Sequence, residues 1–137
     1  MMKYFFYFLL AIHILCCTPE TSVVPKNFKA KLLELYEIKK SNIWVQGNGE
    51  VIKILPDDLK GSKHQLFILR VSNKQTILIA HNIDLAPKIM DLQVGEKVEF
   101  YGEYEWNSKG GVVHWTHHDP KGKKQGGWLK HNGKVYE

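Results

Sequence analysis

In the stretch Lys97-Val98-Glu99-Phe100-Tyr101-Gly102-Glu103-Tyr104-Glu105-Trp106, two kinds of residue alternate. Val98, Phe100, Gly102, Tyr104 and Trp106 fall on one face. Lys97, Glu99, Tyr101, Glu103 and Glu105 fall on the other. A period of two with one apolar and one charged face is the signature of a half-buried strand. Working outward, Asn107-Ser108-Lys109-Gly110-Gly111 has the composition of a hairpin loop, and Val112–His117 reads as the returning strand. Upstream, three more strands are expected: Trp44–Leu55, with Gly47 and Gly49 suggesting a bulge or sharp coil; His64–Val71; and Thr76–Asn82. Asp84–Leu92 has room for a short helical turn, with Pro87 near its start.

The order is therefore three strands, a helical turn, then two strands. Before them, Phe28, Leu32, Leu35 and Tyr36 recur at helical spacing behind Asn27, an N-cap residue type. An amphipathic helix over roughly 27–40 follows. The expected fold is mostly β: an OB-fold-like five-stranded barrel with an N-terminal amphipathic helix and a short helical turn between strands three and four. Another small open barrel is the alternative.

The 137-residue chain has room for one domain. Residues 1–17 read as a signal peptide: a basic residue, Lys3, then the nearly unbroken apolar run Tyr4–Leu15, then Cys16-Cys17. The run is too short to span a bilayer comfortably. Ile14-Leu15-Cys16-Cys17 resembles a bacterial lipobox, with Cys17 as the lipid acceptor; a simply cleaved secreted protein is the alternative. Thr18 after the cysteine, rather than an acidic residue, favours an outer-membrane over an inner-membrane anchor. The expectation is an exported protein, periplasmic or anchored to the outer membrane through that lipid. Residues 18–26 form a polar, proline-bearing tether, and 27–137 a single domain. No cysteine lies beyond Cys17, which excludes an internal disulfide, a thiolate metal site and a cysteine nucleophile from that domain.

Five segments carry a resemblance. They are Gly61-Ser62-Lys63-His64-Gln65, Ala80-His81-Asn82-Ile83-Asp84-Leu85-Ala86-Pro87, Gly102-Glu103-Tyr104-Glu105-Trp106-Asn107, the run Gly110-Gly111-Val112-Val113-His114-Trp115-Thr116-His117-His118-Asp119-Pro120, and Gly126-Gly127-Trp128. From Gly61 onward the chain resembles a bacterial family of small exported proteins catalogued as domain of unknown function 3465. The resemblance implies kinship and no particular activity. Its members often carry a histidine just before the Gly-Trp pair, where this chain has Lys124-Gln125.

Six histidines follow the leader, which raises a metal site. Residues four apart on a strand are separated by roughly 13 Å, so His114, His117 and His118 cannot share an ion on an unbroken strand. A cross-strand set of His81, His114 and His118, helped by Asp84 or Asp119, would suit zinc or another divalent metal. That set would support a metal-dependent hydrolase of phosphodiester type. Histidines holding loops by hydrogen bonds is the plainer reading, in which no cofactor is needed. Ser62, His64 and Asp84 make a catalytic triad only on paper, since no nucleophile elbow surrounds Ser62.

The remaining signals point to binding. Tyr101, Tyr104, Trp106, Trp115 and Trp128 are aromatic, and OB-folds bind oligonucleotides and sugars by stacking on such rings. Lys121, Lys123, Lys124, Lys130 and Lys134 concentrate positive charge at the C-terminus of a chain whose formal charge is +5. Asp119-Pro120 should end the last strand, and the Gly- and Lys-rich end should fold across the barrel mouth with Trp128 as its anchor. The expected function is a binding module of the bacterial envelope. Its surface would use His64, His81, Asn82, Tyr101, Trp106, His114, Trp115, His117, His118, Asp119, Lys121, Lys123 and Lys124, and its partner would be a polyanion, a glycan or an envelope protein. A structural or adaptor lipoprotein is the other alternative.

Overall fold

The computed structural model describes residues 24–137. The leader, Cys17 and residues 18–23 of the tether lie outside the described residues. In chain order the elements are α1 (Phe28–Glu37), β1 (Ile43–Ile54), β2 (His64–Ser72), β3 (Gln75–Asn82), β4 (Lys97–Glu105), β5 (Val112–His114), β6 (Trp128–His131) and β7 (Lys134–Tyr136). No helix among the described residues is long and apolar enough to cross a membrane.

The alternation in β4 sets the geometry. Val98, Phe100 and Tyr104 are fully buried, while the intervening Glu99, Tyr101, Glu103 and Glu105 are half-exposed. β4 pairs antiparallel with β1 from Ile43↔Tyr104 to Glu50↔Lys97. β1 pairs with β2, and β2 with β3, also antiparallel. β5 lies between β3 and β4, parallel to the first and antiparallel to the second. The circuit β1-β2-β3-β5-β4-β1 closes a five-stranded mixed barrel. Closure pairs the outer strands with each other, so neither is left as an open edge. Inside, Phe67, Leu69, Ile77, Ile79, Phe100, Tyr104 and Val113 form the apolar core.

α1 lies against the barrel through Phe28, Leu32 and Leu35, spaced to share one helical face. It ends at Glu37 rather than near 40 because Lys39 adopts a left-handed φ of 54°. Asn27 precedes the helix, but its side chain makes no capping hydrogen bond. Gly47 acts by close approach: a Cβ there would sit 2.5 Å from the Phe28 ring and 2.8 Å from that of Phe100. The register shift in β1 falls later, between Val51 and Lys53.

Two buried amides tie the connections down. The Gln65 side chain donates to the Ile89 carbonyl and accepts from the Ile89 N–H, both at 2.9 Å, as a strand neighbour would. Gln75 Nε2 donates to the carbonyls of Leu32 and Gly110, joining α1 to the β4–β5 loop.

One expectation is corrected, the length of β5. Between β3 and β4 the expected short helical turn goes no further than one turn. A single turn closes with the Ala86 N–H donating to the Asn82 carbonyl, and Pro87, which has no N–H to offer, follows at once. β5 stops at His114 instead of running to His117. Residues 128–136 form a β-hairpin, turned by Asn132-Gly133 with φ of 49° and 78°. The short β5 and the terminal hairpin have one cause. Because β5 covers only residues 103–105 of β4, the edge at 99–101 is free for β6.

Candidate functional site

Trp115 ends β5. Its φ is 57°, a left-handed value that bulky residues rarely adopt. The chain leaves the sheet there and carries Thr116 and His117 inward, where both are buried. The indole stays at the surface, its Nε1 donating to the Gln125 carbonyl at 3.0 Å. The His117 ring lies 4.9 Å from the indole, and its Nδ1 donates to the His118 carbonyl at 2.7 Å. His118 itself is exposed.

Residues 119–124 fold around one carboxylate. Asp119 Oδ1 accepts the Lys121 N–H at 3.1 Å, and Oδ2 accepts those of Lys123 and Lys124 at 2.8 and 2.7 Å. These backbone hydrogen bonds hold the Asp119 carboxyl below its usual pKa. The carboxylate is thus spent on main-chain N–H groups. Among the described residues, the ammonium groups of Lys121, Lys123 and Lys124 form no ion pair. Lys124 Nζ lies 5.3 Å from the Trp115 ring centroid, in cation–π range. Together these groups line a cavity of about 310 Å³, with Leu85 and Pro120 as further apolar wall.

His81 sits inside the barrel, fully buried. Its Nε2 lies 3.0 Å from the Pro87 carbonyl, which can only accept, so that nitrogen carries the proton. Nδ1 then accepts the Thr116 hydroxyl at 2.8 Å. Burial, the largest influence, lowers the His81 pKa from its ordinary 6.5, and the nearby His117 and His64 push the same way. The neutral ring is therefore the folded form. Unfolding lets it bind a proton, so stability is complete above pH 6.5 and falls as the pH drops below it. Urea denaturation at pH 7.5 and pH 5 should show this loss, and His81→Gln should reduce the difference between the two pH values. An equal difference in both proteins would mean that other groups carry the acid sensitivity.

The structure does not bring His81, His114 and His118 together. On neighbouring strands His81 points into the barrel and His114 out of it. Both nitrogens of His81 already have partners. His64 donates from Nδ1 to the Ser62 carbonyl, and Asn82 Oδ1 accepts from the Asp84 N–H; neither lines the Trp115 cavity. Trp106 is committed to α1: its Nε1 donates to the Tyr36 carbonyl at 3.0 Å, and its ring stacks on Tyr36. Tyr101 lies outside the cavity in an outward aromatic row, 5.2 Å from Trp44 and 6.2 Å from Trp128. Of the residues expected at the site, the cavity gathers Trp115, Asp119, Lys121, Lys123 and Lys124.

Two contributors were not foreseen. Leu85 lies in the Ala80–Pro87 segment that carries the family resemblance, but nothing there marks it as a cavity wall. Gln125 joins the two aromatic groups, its carbonyl accepting from Trp115 and its side-chain Nε2 donating to the Tyr101 hydroxyl. Its place between the lysine run and Gly126-Gly127-Trp128 was the available clue.

No curated protein matches the chain. A family model described as protein of unknown function (DUF3465) matches residues 12–137, and the chain belongs to that family.

Proposed function

We propose that this chain is an exported binding module of the bacterial envelope that holds a polyanion in the Trp115–lysine cavity. The observation that carries the reading is Trp115 itself. A strained backbone turns a flat indole to the surface, beside three lysines that form no ion pair among the described residues and outnumber the one carboxylate there, Asp119. A planar face plus unpaired ammonium groups is how single-stranded nucleic acids and related polyanions are held. The strand order, closed through β1–β4 with β3 and β5 parallel, supports an OB-fold assignment. The leader and Cys17 support export and a lipid anchor.

Titration of the protein with a single-stranded oligothymidylate at low salt should quench tryptophan fluorescence saturably. Trp115→Leu should remove most of that quenching although Trp44, Trp106 and Trp128 remain. A neutral oligosaccharide should give none. Saturable quenching by the neutral sugar alone would replace the polyanion with a glycan. Silence towards both would leave the structural or adaptor role.

A further inference from the structure

On the outer face of the barrel, Glu103 and Glu105 stand two residues apart in β4, so the pleat points both the same way. His114 of β5 is the cross-strand partner of Glu103 and points outward with it. One donor atom from each of the three residues lies within 4.8 Å of the others. His114 Nε2 is 3.5 Å from Glu105 Oε1, longer than a hydrogen bond. That nitrogen is closed off from solvent and has no hydrogen-bond partner. Among the described residues, no lysine or arginine pairs with either carboxylate.

Two carboxylates on one strand face repel each other, and an imidazole nitrogen without a partner loses its hydration for nothing. One cation among them would remedy both. We propose that Glu103, Glu105 and His114 bind a divalent transition-metal ion. With metal–ligand bonds near 2.0–2.2 Å, neighbouring donors lie about 3.0–3.5 Å apart, so the His114–Glu105 separation already fits. Glu103 offers a carboxylate oxygen within 4.8 Å of the other two donors. The imidazole favours zinc and its neighbours over calcium or magnesium, whose shells are built from oxygen. Three protein ligands on a half-exposed face leave coordination positions open to water or to a ligand. The site shares no residue with the Trp115 cavity, so either can fail without the other.

The test is calorimetric titration of the untagged, chelator-stripped protein with Zn2+, the melting temperature being followed in parallel. The expected result is one ion per chain and a raised melting temperature. Glu103→Gln, nearly isosteric, and His114→Ala should each weaken binding by about tenfold or more, as metal-site substitutions do. Without metal, the Glu103→Gln protein should melt as the wild type does. The exposed His118→Ala change should leave binding intact. Absence of stoichiometric binding, its persistence in both ligand variants, or its loss on His118→Ala would each overturn the proposal.

Discussion

Gly111→Ala is expected to destabilise the domain by about 2–6 kcal/mol, a large share of the roughly 5–15 kcal/mol that holds such a fold together. Two costs add. Gly111 has φ of 104°, where an L-residue is strained by about 1–3 kcal/mol. A Cβ there would also lie 2.2 Å from Tyr104 Cε2 and 2.5 Å from the Tyr104 hydroxyl oxygen. Tyr104 has nowhere to go: it is fully buried, and its hydroxyl donates to the Gly110 carbonyl at 3.1 Å. Overpacking of this kind costs about 1–3 kcal/mol more. Gly133→Ala isolates the first cost, because Gly133 also has a positive φ, 78°, but opens onto empty space. Urea denaturation should show a loss about twice as large for Gly111→Ala as for Gly133→Ala. Equal losses would mean that the Tyr104 contact yields freely, and that the β4–β5 loop is looser than its hydrogen bonds imply.

The same loop shows what could be read from the chain. The β4 alternation is a local pattern, and residues 97–105 form the strand with the inward and outward faces it specifies. Pairing could be anticipated where a turn signal joined two apolar runs. Asn132-Gly133 was such a signal, between Trp128–His131 and Lys134–Tyr136, but lysines in both arms masked the strands. The end of β5 was harder. Nothing in Val112–His117 marks Trp115 as left-handed, since that conformation depends on tertiary contacts, among them the Gln125 carbonyl and the His81–Thr116 hydrogen bond. Most histidine roles were illegible for the same reason. Composition shows six imidazoles beyond the leader, but only burial and pleat separate the loop-holding His81 and His117 from the outward His114. The lysine run and Asp119 were readable as a charged end. That Asp119 would bind the loop's own N–H groups, leaving the ammonium groups unpaired, needed the backbone path.

That separation of charge from architecture makes the binding proposal testable without disturbing the fold. The loop is shaped by main-chain N–H groups of Lys121, Lys123 and Lys124 donating to Asp119, and glutamine or glutamate at those positions keeps them. The triple change to glutamine should therefore leave the urea midpoint near that of the wild type. Binding should respond quite differently. If the three lysines each neutralise one phosphate of a single strand, log K against log salt has a slope of about −2, so wild-type affinity should fall roughly 15-fold between 50 and 200 mM salt. The triple glutamine variant should be weaker at low salt and nearly insensitive to that change. The triple glutamate variant should lose about a hundredfold or more at 50 mM, since repulsion replaces counterion release. Anisotropy of a labelled oligothymidylate measures all three. A slope that survives the glutamine changes would move the phosphate contacts elsewhere on the surface, with Lys130 and Lys134 of the terminal hairpin the next groups to neutralise. Trp115 tests the complementary half, because stacking is nearly indifferent to salt. Loss of the indole should lower affinity by a similar factor at 50 and 200 mM, while loss of the lysines should change the slope itself.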